Sequence, residues 1–320
     1  MDGFLIMNKP PDWTSHDVVA KLRGLLRETR VGHTGTLDPM ATGVLPICIG
    51  RATKVANYLL ETDKDYRVVM RLGATTDTQD GTGRVLTRSD ARPSSNEILR
   101  VLNGMVGTQT QIPPMYSAVK VDGEPLYKAA REGRVVERKP RTVTIARLDV
   151  LGIAEDEVTF DVTCSKGTYI RTLCADAGEQ LGAGAYMQAL ERRRVGAFGI
   201  DRALTLAEAE AAVHGGTIGE RVLSIDDALV DVPAADVDAA TADRVCHGVP
   251  LPASRVARWT GACRAGGLVR IRASGTTVAL GTAPVDHAQL TSRASTAVIR
   301  VDRVLREGAS KVAGGRDRSL

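Results

Sequence analysis

Hydrophobic positions recur along this chain at two spacings, and the switches between them mark out the elements. Thr14 or Ser15 can cap a helix through about Glu28, in which Val18, Leu22, Leu25 and Leu26 share one face. Residues 51–61 read as helical again. Tyr66 to Leu72 then alternates with period two, which sets Tyr66, Val68, Met70 and Leu72 on one side and Arg67 and Arg71 on the other. A polar loop follows from Thr75 to Arg84. Ser94 and Glu97 form a capping box for a helix that buries Ile98, Leu102 and Met105. A second alternating strand, Val158, Phe160, Val162 and Cys164, delivers Ser165-Lys166-Gly167-Thr168-Tyr169 to the start of a helix. Ile170, Leu173, Ala177 and Leu181 face inward along that helix, and Gly182 ends it. Helical patterns also fill 205–213, capped by Thr205 and Glu208, and 223–230.

Two stretches depart from this regularity. Residues 113–141 combine Pro113-Pro114, a short helix from Pro125 to near Gly133, and the basic cluster Arg134, Arg138, Lys139 and Arg141. An excursion of that length in a compact domain is functional or mobile, or else a solvated surface hairpin. Residues 231–243, rich in Ala and Asp with Pro233, read as a linker. After it, short alternating strands at 268–273, 277–281 and 297–301, separated by Gly266-Gly267 and Ser274-Gly275 turns, predict a small β-rich unit. The pattern therefore divides the chain into a mixed domain over 1–230, a linker, a β-rich domain over 244–305, and a Gly-rich basic tail over 306–320 that is expected to be disordered.

Composition adds exclusions. A length of 320 residues suits two domains, and 43% hydrophobic with 25% charged residues is ordinary for a globular protein. No apolar run approaches a membrane span, and Phe4-Leu5-Ile6-Met7 is too short for a signal peptide. Five scattered cysteines without a C-x-x-C pair suggest reduced thiols in the cytoplasm. No GxGxxG fingerprint and no His or Cys at metal-ligand spacing appears, and the Lys166-Gly167-Thr168 turn lacks P-loop spacing. Neither cofactor nor metal is expected. Charge is uneven: the net is +3 over 1–200, −8 over 201–243 and +9 over 244–320. A basic module behind an acidic spacer is a candidate for holding phosphates.

Candidate chemistry gathers at Val31-Gly32-His33-Thr34-Gly35-Thr36-Leu37-Asp38-Pro39. Pro39 drives Asp38 out of the helical region, so an acid stands on a turn or extended backbone amid His33, Thr34 and Thr36. Taken alone, Asp38 could equally cap a helix that opens with Pro39. The loop does not stand alone. Gly32 to Pro39 with Ala41-Thr42-Gly43-Val44-Leu45-Pro46 resembles the catalytic signature of bacterial tRNA pseudouridine-55 synthases. The resemblance extends in order through Asn8-Lys9-Pro10, Lys64-Asp65-Tyr66-Arg67-Val68, Gln111-Ile112-Pro113-Pro114-Met115-Tyr116-Ser117-Ala118 and Cys164-Ser165-Lys166-Gly167-Thr168-Tyr169-Ile170-Arg171, across most of residues 1–200.

That resemblance implies an α+β fold: a catalytic domain on a mixed, largely antiparallel sheet, a thumb-like RNA-gripping insertion at 113–141, and a C-terminal PUA-like RNA-binding domain. It implies conversion of a T-loop uridine of tRNA to pseudouridine, by a monomer needing no protein partner. Asp38 is then the nucleophile and Arg171 the cation that keeps it charged. Tyr66 stacks on the uracil and brings its oxygen near C5, Tyr169 and Leu190 line the uridine pocket, and His33 helps fill the space that the flipped base leaves. Glu191 stands where relatives carry a basic residue, so no RNA contact is carried over there. Two rivals are a guide-RNA-dependent pseudouridine synthase and an RNA-binding protein in which Asp38 is structural.

Overall fold

In the computed structural model, which describes residues 1–60, 62–117, 119–121, 123–292 and 295–306, the alternating run around Tyr66 becomes the strand Lys64–Leu72. Tyr66, Val68, Met70 and Leu72 are buried, while Arg67 and Arg71 pair on the other face with Asp161 (2.8 Å) and Asp156 (3.1 Å). The strand lies between Glu157–Cys164 and Ala185–Val195, antiparallel to both, with Val68 opposite Phe160 on one side and Leu190 on the other. Beyond Glu157–Cys164 the sheet continues to Arg141–Ala154 and Gly107–Gln111; beyond Ala185–Val195 it continues to Thr42–Ile49 and Gly3–Lys9. Thr42–Ile49 meets Ala185–Val195 in parallel, with Gly43 opposite Arg192. The sheet is mixed and largely antiparallel, as expected.

Helices cover this sheet where apolar faces demand it. Val18 and Leu22 of Ser15–Leu26, Ile98 and Leu102 of Ser95–Gly104, and Leu173 and Ala177 of Ile170–Gln180 join Val68, Met70, Phe160 and Met187 in one core. Thr14, not Ser15, caps the first helix, because Asp17 completes a capping box with it. The boxes at Ser94/Glu97 and Thr205/Glu208 form as the sequence predicts. The expected polar loop 75–84 has more structure than its composition suggests. Ala74–Thr76 pairs with Val85–Arg88, and the turn between them buries Asp80. In the 113–141 segment, Lys120–Val121 pairs with Glu124–Pro125 and the helix runs Leu126–Arg131. Arg134 there is bound by Glu124 (2.9 Å) and Glu132 (2.7 Å), so part of the expected basic cluster is neutralised locally.

A second compact unit begins at Leu223 and includes Asp2–Phe4, with Phe4 and Leu223 exchanging backbone hydrogen bonds. Its six-stranded sheet runs Leu251–Pro252, Val298–Val304, Thr276–Thr282, Leu268–Ala273, Ala234–Asp236, Arg258–Thr260, over a core including Val245, Val269, Ile271 and Ile299. The linker expected at 231–243 is corrected here. Ala234–Asp236 pairs with two strands, and Asp238 caps the helix Ala239–Cys246. Small Ala side chains fit a crowded sheet centre but give too short an alternation to read as a strand. The acidic spacer is corrected with it. Asp236 binds Arg272 at 2.8 Å, and Asp226 lies 3.6 Å from the buried Arg270 guanidinium. The expected tail beyond 306 lies outside the described residues. Among those described, no helix is long and apolar enough to cross a membrane.

Candidate active site

The loop that carries Asp38 joins Val31–His33 to Thr42–Ile49, so the chain past Pro39 runs into a strand and Asp38 caps no helix. Backbone clamps hold it from three sides. Leu37 exchanges hydrogen bonds with Ser15 Oγ, its N–H donating at 2.8 Å and its carbonyl accepting at 3.2 Å. The buried Lys9 ammonium donates to the carbonyls of Pro10 (2.8 Å), Trp13 (2.6 Å) and Pro39 (2.9 Å), which employs all three of its protons. Arg192, 1% exposed, donates to the carbonyls of Val44 (2.7 Å), Gly35 (3.1 Å) and Thr36 (3.4 Å). Two buried cations thus hold the carbonyls of the segment on either side of the acid.

Arg171, in the first turn of Ile170–Gln180, meets the acid from across the site. Its Nε lies 3.0 Å from Asp38 Oδ2, and Nη2 donates to Asp38 Oδ1 at 3.4 Å. The guanidinium is 5% exposed and is fixed by donation to the carbonyls of Tyr116 (2.8 Å) and Thr78 (3.2 Å). On its far side stands Asp80, 4% exposed, with Oδ2 3.6 Å from Arg171 Nη1. Asp80 Oδ1 accepts from Thr78 Oγ1 (2.7 Å), Thr82 N (3.0 Å) and Thr82 Oγ1 (2.6 Å). The cation sits between two carboxylates, one locked inside and one, Asp38, with 36% of its side chain exposed. Burial pushes the Asp38 carboxyl above its ordinary range; Arg171 opposes that push, Asp80 adds to it, and Lys9 opposes it.

Asp38, Arg171, Tyr66, Tyr169 and Leu190 all line one cavity of about 660 Å³. Tyr66 is buried, and burial pushes its phenol up to about 12 against the opposing pull of the Arg192 guanidinium. Tyr169 is held through its backbone by Gln111, whose Oε1 accepts from Tyr169 N (3.0 Å) and whose Nε2 donates to Tyr169 O (3.3 Å). Leu190 comes from the neighbouring strand. His33 is the exception: it pairs with Ile47 in the strand before the loop and does not line the cavity, and burial lowers its pKa. Glu191 lies 3.3 Å from Arg193.

Lys9, Gln111 and Ser117 stand in the motifs that carry the resemblance, yet the sequence assigns them no role. Asp80 and Arg192 carry no signal of their own: one is hidden in a loop of polar composition, the other in a run of three arginines. Among the described residues no group of three or more His, Cys, Asp or Glu side chains is placed to hold a metal ion.

Comparison with known proteins identifies the family. Residues 23–170 match the family model described as TruB family pseudouridylate synthase (N terminal domain), and residues 171–230 match the tRNA pseudouridylate synthase B C-terminal domain. The chain is 47% identical over 251 residues to tRNA pseudouridine synthase B of Geobacter sulfurreducens, covering 78% of this chain and 83% of that one. It is 46% identical over 256 residues to the protein of the same name from Pseudomonas fluorescens, covering 79% and 84%. Among solved structures, it resembles a chain of a Cbf5-Nop10-Gar1 complex with a TM-score of 0.79 at 28% identity, over 95% of this chain and 85% of that one. The chain belongs to the TruB family of pseudouridylate synthases.

Proposed function

We propose that this chain isomerises the uridine at position 55, in the T-loop of tRNA, to pseudouridine, with Asp38 as nucleophile and with neither cofactor nor guide RNA. The observation that carries the reading is the Asp38–Arg171 pair in the wall of a cavity large enough to admit a nucleotide. The reaction breaks the bond from N1 to C1′, joins C5 to C1′, and moves the C5 proton to N1 or solvent. No electrons are transferred overall, so a positioned carboxylate and a proton acceptor suffice. Arg171 keeps Asp38 ionised until it attacks an electrophilic carbon of the nucleotide. Tyr66 offers a ring face for the uracil and an oxygen near C5, and Tyr169 and Leu190 close the walls.

The target lies inside a folded RNA loop, so it must swing out to enter the cavity, and His33 helps take up the vacated space. Shape and phosphate contacts supply most of the affinity, through the 113–141 segment and a second unit that works as a PUA-like RNA-binding domain. The enzyme acts as a monomer without a protein partner, in the cytoplasm. The experiment is tritium release from C5-labelled, unmodified tRNA. Wild type is expected to release label without added guide RNA, and Asp38→Asn to release none while binding tRNA within a few-fold of wild type. Near-normal turnover by Asp38→Asn would remove the nucleophile assignment. Release that requires a separate guide RNA would place the chain with the guide-dependent synthases instead.

A further inference from the structure

Ser117 lines the cavity, yet among the described residues its hydroxyl has no group to bind. The residue is 5% exposed, and Oγ is shielded and without a hydrogen-bond partner. A buried hydroxyl in that condition is costly and needs an explanation. Three other buried side-chain atoms among the described residues share it, His33 Nδ1, Thr34 Oγ1 and His287 Nδ1, but none of those residues lines the cavity. Ser117 is also held in place. Its N–H donates to Met115 O (3.0 Å) and its carbonyl accepts from Tyr127 N (3.1 Å) in the helix Leu126–Arg131. The preceding carbonyl, of Tyr116, accepts at 2.8 Å from the same Arg171 Nη2 that donates to Asp38. The serine therefore stands one peptide away from the guanidinium that orients the acid, at the Asp38 end of the cavity.

A nucleotide that enters with its reacting carbon against Asp38 brings its ribose and flanking phosphates to that end, and each of these offers oxygen acceptors. We propose that Ser117 is a substrate-contacting residue whose hydroxyl, turned into the cavity by rotation about its Cα–Cβ bond, donates to a ribose or phosphate oxygen of the nucleotide held against Asp38. The inference rests on the proposed isomerase reading of the site. It also explains why the root of the 113–141 segment is bound to Arg171: an RNA gripped by that segment and a nucleotide seated at Asp38 are sensed through adjacent peptides.

The test compares full-length wild type, Ser117→Ala and Ser117→Cys in single-turnover tritium release from unmodified tRNA. Ser117→Ala is expected to slow the reaction by about 3–10-fold, the worth of one neutral hydrogen bond, with an unchanged or raised melting temperature because no protein hydrogen bond is lost. Ser117→Cys fills the same space with a poor donor and is expected to fall with Ala. Substrates with a 2′-deoxy target, or with a methylphosphonate beside it, identify the acceptor: the modification that removes it slows wild type and slows Ser117→Ala by no further factor. The proposal is overturned if Ser117→Ala reacts within two-fold of wild type, if its melting temperature falls with its rate, if Cys restores the rate, or if both modifications act additively with Ala. Wild-type release on unmodified tRNA reads the proposed activity separately, so failure of one inference cannot be taken for failure of the other.

Discussion

Lys9 shows how much one side chain can commit to a site without touching the cavity. Its three protons all go to carbonyls, one of them the carbonyl of Pro39 next to Asp38. Burial lowers its pKa to about 8 from an ordinary 10.5, against the raising pull of Asp12 and Asp38. The unfolded chain therefore binds this proton more tightly than the folded one. Between pH 8 and pH 10.5 the unfolded state holds more protons, so the contribution of Lys9 to stability rises with pH across that window. Unfolding free energies of wild type and Lys9→Met, measured by urea titration from pH 8 to pH 10.5, should move apart in favour of wild type as pH rises. A constant difference would mean that Lys9 keeps its proton throughout. The same deprotonation removes one donor from the loop, so tritium release by wild type should decline above about pH 8.

Elements matter here chiefly where two of them touch through backbone alone. Thr42–Ile49 crosses Ala185–Val195 at Gly43, whose φ is +98° and where a Cβ would stand 2.2 Å from the Arg192 carbonyl oxygen. Neither the backbone angle nor that contact can be relieved by a rotamer, since both are main-chain features. Gly43→Ala should lower stability by about 2–4 kcal/mol and displace the loop that Arg192 holds, with a large loss of turnover at saturating tRNA. Chemical denaturation and single-turnover release read the two effects. A variant with wild-type stability would mean that the parallel crossing is looser than its geometry. Gly178 has the same office between the helix Ile170–Gln180 and Ala185, where a Cβ would meet the Ala185 nitrogen at 2.1 Å. These contacts set the distance between the elements that carry Asp38, Arg171 and Leu190.

On the scale of the molecule, charge must be counted after folding. Three arginines of the second unit, Arg270, Arg272 and Arg300, are engaged with Asp226, Asp236 and Asp302. Arg255, Arg258 and Arg264 are exposed and, among the described residues, have no such ion pair. Together with Arg244, Arg303 and Arg306, which are likewise exposed and without such a pair among the described residues, they are available to meet phosphates. Replacing Arg255, Arg258 and Arg264 with Gln should make the plot of log affinity for tRNA against log salt shallower by roughly one unit per lost contact. The rate at saturating tRNA should stay the same. An unchanged slope would mean that this face of the unit does not bind RNA.

Local signals in the sequence were enough for the period-two strand at Tyr66, the capping boxes at Ser94 and Thr205, and the strands 268–273 and 277–281. Each is set by neighbours within a few residues, where side-chain spacing and turn chemistry act directly. The resemblance to the family, not a local signal, grouped Asp38, Tyr66, Tyr169, Arg171 and Leu190 with His33 as one candidate site, and of these His33 does not line the cavity. Tertiary structure decided the rest. It made Asp80 a buried partner of Arg171 from a distant part of the chain, put Arg192 beneath the Asp38 loop, and turned an Ala- and Asp-rich stretch into a strand of the second sheet. Burial and long-range pairing assign those roles, and neither is written in the spacing of residues along the chain. An aspartate in a polar loop reads the same whether it faces water or a guanidinium, until the fold has placed the guanidinium beside it.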